Sequence, residues 1–240
     1  MSKIQQTLIE IIRHIRLISN ISSDSVVDRK QVIYLLNEFH LAVRTAYQQA
    51  HNGIMYGFLA RDNWVSEFGW FVPTLNLCNQ VITFTGSSSE IVIPAAGLGF
   101  LHFLLNSQYE ENKIPINQRP IITSSDLTPD PTKCWCDVKT IDGVVASQNA
   151  PIDSVLIIAW ALYGDELGTN MLLAFRGDRL IVIGESHGCT ASDSFFDELE
   201  ENWEKQTQFG NNCVINWYGI RDCAEFYCRR SLVLDSSDSE

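Results

Sequence analysis

Four short runs of branched aliphatic residues constrain the fold of this chain more than any other feature: Ile91-Val92-Ile93, Ile121-Ile122, Val155-Leu156-Ile157-Ile158 and Leu180-Ile181-Val182-Ile183. Consecutive apolar positions bury both faces of a strand, whereas a strand with one wet face alternates apolar and polar. The runs therefore predict parallel, central strands over 90–94, 120–124, 154–160 and 179–184, sandwiched between layers of helix. Intervening helices are predicted over 100–106, 165–175 and 193–206, the last capped by Thr190 or Ser192. The expected class is α/β, with a mostly parallel, Rossmann-like sheet.

Both ends of the chain depart from that rhythm. Stretches 213–218 and 224–233 flank the turn Gly219-Ile220-Arg221-Asp222, which reads as a terminal hairpin adding an antiparallel strand to the sheet. Near the start, Ile4, Leu8, Ile11, Ile12, Ile15 and Ile18 recur at helical spacing, as do Val32, Leu35, Leu36, Phe39 and Val43. This predicts an antiparallel helix pair joined through polar residues 19–25, with Asp28 capping the second helix and Gln31 reaching back. The expected organisation is an N-terminal helical appendage over 1–60, an α/β domain over 61–234, and a tail over 235–240 of serine and acid that can bury nothing.

Charge and cysteine usage narrow the function. A net charge of −12 gives the surface no general attraction for phosphate backbones, so a small-molecule or protein acceptor is favoured over nucleic acid. The charge leaves open where Arg61, Arg176, Arg179, Arg221, Arg229 and Arg230 sit, and it does not speak to oligomeric state. No run approaches the roughly 20 apolar residues of a spanning helix, and the first residues lack a signal peptide's apolar core. A soluble, cytoplasmic protein with no membrane partner is expected. Seven cysteines, an odd number, read as reduced thiols. Cys134-Trp135-Cys136 has one intervening residue where a zinc knuckle has two, and no second pair accompanies it, so no metal is expected.

The chemistry-bearing candidates gather where predicted strands end. Pro94-Ala95-Ala96-Gly97-Leu98-Gly99-Phe100 joins the first strand to an apolar helix, and such a glycine turn lets backbone N–H groups approach a nucleotide. Gly97 and Gly99 serve equally as the hinges of a close turn with no ligand. The third glycine of a dinucleotide fingerprint would fall at His102, which counts against a nicotinamide oxidoreductase. Trp160 and Tyr163 follow the third strand, as substrate floor or as core cover. Glu185 and His187 follow the fourth, as a general base or as loop-orienting groups. Gly184-Glu185-Ser186-His187-Gly188 fits a nucleophile elbow only superficially, because no histidine lies after His187 to complete a triad.

Phe68-Gly69-Trp70-Phe71-Val72-Pro73, followed by Ser89-Glu90-Ile91-Val92-Ile93-Pro94-Ala95-Ala96-Gly97-Leu98-Gly99, resembles a little-characterised group of class I S-adenosylmethionine-dependent methyltransferase-like proteins. In that group a Trp-x-x-Pro segment precedes an acidic-x-Gly-x-Gly-x-Gly cofactor loop. Val155-Leu156-Ile157-Ile158-Ala159-Trp160 is similar to the group's fourth-strand motif, and Ile183-Gly184-Glu185-Ser186-His187-Gly188-Cys189-Thr190 to its fifth-strand segment. The similarity covers roughly residues 64–231. It implies a seven-stranded sheet with an antiparallel last strand. S-adenosyl-L-methionine would lie across the carboxyl ends of the first strands, near Ala95, Gly97, Gly99, Asp126 and Trp160, with Asp126 on the ribose hydroxyls. Trp70 and Tyr163 would then border the substrate, and Glu185 and His187 would stand at the catalytic edge. The sequence departs from the pattern at Ile93, where the group carries an acid, at Ala95, where it carries a glycine, and at Ala161-Leu162, where it carries Pro-Pro. The implied function is methyl transfer to an unidentified acceptor. The departures motivate the alternative of an inactive scaffold acting through its partners. In-line displacement from a sulfonium needs mainly positioning and exclusion of water, so the lack of a nucleophile triad counts against hydrolases and not against this reading.

Overall fold

The computed structural model describes residues 3–21, 26–49, 58–217 and 219–230. In chain order these form α1 (Lys3–Ile21), α2 (Val26–Gln49), α3 (Phe58–Glu67), β1 (Val72–Pro73), α4 (Leu75–Thr85), β2 (Glu90–Ile93), α5 (Phe100–Glu111), β3 (Ile121–Asp126), β4 (Val138–Thr140), α6 (Gly143–Asn149), β5 (Val155–Ala159), α7 (Leu167–Ala174), β6 (Arg179–Gly184), α8 (Asp193–Asn202), β7 (Trp203–Lys205), β8 (Val214–Ile215) and β9 (Cys223–Arg229). Seven strands make one sheet in the order β4-β3-β2-β5-β6-β9-β7. β2 to β6 are mutually parallel, and β9 runs antiparallel to both of its neighbours. This is a mostly parallel, Rossmann-like sheet with one antiparallel strand inserted near its edge. Strand order reverses between β2 and β5, so a crevice opens at their carboxyl ends.

The aliphatic runs form these strands because two hydrophobic layers compete for alternate side chains. Ile91, Ile93, Val155, Ile157, Ile181 and Ile183 point to a core shared with Leu8, Ile12, Leu36, Phe39, Trp64, Leu77 and Leu104 from α1 to α5. Val92, Leu156, Ile158 and Leu180 point the other way, into a second core with Met171, Leu172, Phe195 and Leu199 from α7 and α8. Each fully buried aliphatic or aromatic side chain contributes about 1.5–3 kcal/mol. The helix pair α1–α2 packs into the first core, where Phe39 stacks on Trp64 with ring centroids 4.7 Å apart. No helix among the described residues is long and apolar enough to cross a membrane.

Several local expectations need correction. β3 runs on to Asp126, two residues past the predicted end, so that Asp126 closes the strand. The expected hairpin partner of β9 is otherwise engaged: among the described residues of 213–218, Val214–Ile215 pairs with β1 in a separate two-stranded sheet. β9 instead inserts between β6 and β7, because Ala224, Glu225, Phe226 and Tyr227 are all buried and need cover on both faces. The helix predicted to Gln206 stops at Asn202, where Trp203 turns inward against Phe175 and begins β7. Asp28 lies inside α2, which starts at Val26, rather than ahead of it as a cap. Residues 22–25 of the polar turn and the 235–240 tail lie outside the described residues.

Candidate cofactor cleft

The carboxyl ends of β2, β3 and β5 border a cavity of about 400 Å³. Residues 68–73 close one side, Asp142 and Gly143 at the head of α6 another, and Trp160, Ala161 and Leu162 a third. The turn after β2 supplies its floor. Its backbone enters the left-handed region at alternate residues, Ala95 (φ 50°), Gly97 (φ 57°) and Gly99 (φ 74°). The turn is stitched to β3 by two hydrogen bonds, from Ala96 N–H to the Ser125 carbonyl (2.8 Å) and from Gly97 N–H to Asp126 Oδ2 (2.9 Å). Asp126 Oδ1 accepts from Thr128 N–H at 3.1 Å, so the carboxylate bridges the loops after β2 and β3. Each oxygen keeps a second lone pair for a ligand hydroxyl.

The two glycines do different work. A Cβ on Gly97 would meet nothing within 4 Å, and Gly97 faces the cavity. A Cβ on Gly99 would fall 2.5 Å from Cys136 Sγ and 2.8 Å from Val138 Cγ2. Gly99 thus lets the chain leading into β4 press against the turn from behind. Ala95 holds with a Cβ the conformation that glycine adopts freely, at a strain of about 1–2 kcal/mol.

Trp160, at the end of β5, is held from two directions. Its backbone, at φ 52°, donates to the Ile183 carbonyl at 2.7 Å, and its indole Nε1–H donates to Asp222 Oδ1 at 3.0 Å. The ring stacks on Trp70 with centroids 5.4 Å apart and planes 14° off parallel. The Arg61 guanidinium lies 5.6 Å from both rings. Asp222 is buried, and its Oδ2 has no partner among the described residues. Burial pushes its carboxyl up to about 7; the Trp160 hydrogen bond and Arg61 oppose the rise, and Glu185 adds to it.

The structure therefore brings together Ala95, Gly97, Asp126, Trp160 and Trp70 of the sequence candidates, with Gly99 buttressing the turn. Tyr163, Glu185 and His187 do not line the cavity. Tyr163 is exposed. Glu185 accepts the N–H groups of Arg221 (2.6 Å) and Cys189 (2.9 Å), one on each oxygen. Burial raises its carboxyl, but these hydrogen bonds win and hold it below the ordinary value. His187 stacks on Phe196 and faces Glu200 at 3.6 Å, a pairing with Glu200 of the surface type. His102, at the position of the missing fingerprint glycine, lies 3.0 Å from Ser124 Oγ, and burial lowers its pKa to about 4.

Three residues escaped the sequence reading as parts of the site. Asp142 lines the cavity while capping α6, its Oδ1 accepting from Val144 N–H at 2.9 Å and Val145 N–H at 3.2 Å. Its signal was the Asp-Gly-Val-Val pattern of a helix start. Arg61 and Asp222 reach the site only through tertiary packing. Asp126 and Asp142 are the only ionisable side chains lining the cavity among the described residues, with the Arg61 guanidinium outside the lining, against the Trp70 and Trp160 rings.

No protein-family model matches this sequence, and no curated protein sequence does. Among solved structures, the fold is similar to a protein described as the modification subunit of a type I restriction enzyme from Vibrio vulnificus YJ016 (TM-score 0.44, 10% identity, 86% of this chain and 50% of that one). It is also similar to the mitomycin 7-O-methyltransferase MmcR (TM-score 0.40, 13% identity, 88% of this chain and 73% of that one). A third is the plantazolicin methyltransferase BpumL in complex with SAH (TM-score 0.39, 12% identity, 96% of this chain and 100% of that one). This chain spans half the length of the restriction-enzyme subunit.

Proposed function

We propose that the cleft binds S-adenosyl-L-methionine and that the chain transfers its methyl group to a small-molecule or protein acceptor. The observation that carries this reading is the position of the cavity: it opens at the strand-order reversal, on a left-handed turn whose Gly97 N–H is tied to Asp126 at 2.9 Å. The donor set fits the cofactor. Asp126 presents a carboxylate for ribose hydroxyls, and a lining that holds two acids and no base among the described residues suits a sulfonium cation. Bound there, the cofactor would supply an electrophilic methyl on an excellent leaving group.

The chain's own contribution under this reading is positioning and dryness. Gly97 leaves room for close backbone approach. Phe68, Phe71, Phe100 and Met171 line the cavity with apolar surface and exclude water. Glu185 orients the 185–189 loop: it is buried, lies outside the cavity lining and holds the Arg221 and Cys189 N–H groups. Isothermal titration with S-adenosylmethionine and S-adenosylhomocysteine, with NAD as control, tests the proposal. Saturable one-to-one binding of the first two, and not of NAD, is the expected result. No binding at millimolar ligand would transfer the weight to the inactive-scaffold alternative.

A further inference from the structure

We propose that the methyl acceptor is an uncharged, planar aromatic compound that stacks on Trp70 at the mouth of the cleft; this inference rests on the cofactor reading above. Trp70 is 47% exposed although one of its faces is covered by Trp160. Leu127 and Leu162 line the same cavity, 65% and 56% exposed. Three large apolar side chains left open around one cavity form a surface that a ligand, rather than water, completes.

The platform is braced before any ligand arrives. Asp222 holds the Trp160 indole, Trp160 supports Trp70 in a near-parallel stack, and Arg61 lies against both rings. A rigid aromatic surface loses little conformational freedom on binding, which favours a flat ring over a flexible chain. Charge selects in the same direction. Asp126 and Asp142 line the cavity, so a phosphate or carboxylate that reaches into it from the platform would meet like charge, while the Arg61 guanidinium beside the two rings is the opposing cation that the test below weighs.

The test is a calorimetric titration of the full chain with naphthol, with its saturated counterpart decalol, and with naphthyl phosphate, each in the presence and absence of S-adenosylhomocysteine. Naphthol is expected to bind saturably, and decalol and naphthyl phosphate at least about tenfold more weakly, as stacking and charge require. Trp70→Ala is expected to weaken naphthol about tenfold, with Trp70→Phe recovering most of the loss. Equal binding of decalol would reduce the site to a merely apolar surface and overturn the inference. Tighter binding of naphthyl phosphate would make Arg61 the recognition element and overturn it as well. Unchanged naphthol affinity in Trp70→Ala would place the aromatic elsewhere. The S-adenosylhomocysteine titration reports separately: cofactor binding without naphthol binding sinks this inference alone, and naphthol binding without cofactor binding sinks the methyltransferase reading.

Discussion

Replacing Asp222 with asparagine isolates the energetic role of the buried acid beneath Trp160. The amide keeps an oxygen for the indole N–H, which now donates to Asp222 Oδ1 at 3.0 Å, while removing the ionisable proton. Burial raises the carboxyl from 3.8 to about 7. A folded-state pKa above the unfolded one means that the native protein holds the proton more tightly. Stability from this group is therefore fully present below about pH 4 and is lost as pH rises toward about 7. At about 1.4 kcal/mol per unit the ceiling is about 4 kcal/mol, and the portion falling between about pH 5 and about pH 7 is about 2 kcal/mol. Urea unfolding of the wild type and Asp222→Asn across that range is expected to show the wild type losing about 2 kcal/mol relative to the variant as pH rises. Asp222→Ala strands the indole N–H and is expected to cost about 1–3 kcal/mol more than Asp222→Asn at neutral pH. Stability curves of wild type and Asp222→Asn that stay parallel across the range would refute the buried-acid argument.

The turn after β2 yields three further expectations. Gly99→Ala drives a Cβ to 2.5 Å from Cys136 Sγ at a φ of 74°, so a loss of about 2–4 kcal/mol is expected in urea unfolding, with β4 displaced from the turn. Gly97→Trp places an indole in the cavity at φ 57° and is expected to cost about 1–2 kcal/mol of stability and to weaken S-adenosylhomocysteine at least about tenfold by calorimetry; unchanged affinity would show that the cofactor lies elsewhere. Ala95→Gly relieves the strain at φ 50° but loosens the unfolded chain, so a net gain of no more than about 1 kcal/mol is expected, with tighter cofactor binding because a Cβ leaves the cavity wall.

What was legible in the sequence follows the physics of side-chain period. β5 and β6 stood out because Val155 to Ile158 and Leu180 to Ile183 must bury both faces, and two separate cores receive them. β7 did not, because Leu199 and Trp203 are four residues apart and read as one helical stripe; it is tertiary packing, with Trp203 against Phe175, under Arg229 at 4.3 Å and paired to β9, that goes with the end of the helix there. β1 and β8 are two-residue strands that exist only because each finds the other. The turn Gly219-Ile220-Arg221-Asp222 suggested a hairpin with the preceding stretch, but β9 is antiparallel through its pairing with β6 and β7, a choice that depends on which exposed ladder the sheet offers. In the site, glycine chemistry pointed to Gly97 and Gly99 but could not tell the open position from the crowded one. Arg61 and Asp222 carried no local signal, being brought to Trp160 by the fold alone.

Two residues that differ from the resembled pattern, or adjoin a difference, acquire a physical meaning from where strain sits. Ala95 and Trp160 both hold left-handed backbone, and both line the same cavity. Each carries about 1–2 kcal/mol of strain, which a free turn would shed by relaxing. Neither is free to do so. Ala95 leads directly into the Ala96 and Gly97 N–H bonds to β3, and Trp160 is fixed by the Ile183 carbonyl and Asp222. Two hydrogen bonds of about 0.5–1.5 kcal/mol each offset the strain at either position, so the cavity walls are set before a ligand binds. Ala161-Leu162 after Trp160 give the backbone no proline rigidity, and the Asp222 bond to the Trp160 indole supplies rigidity from a different part of the chain. The same buried acid therefore serves the fold, by fixing a strained residue, and the cleft, by presenting the aromatic pair at a set angle to whatever enters it.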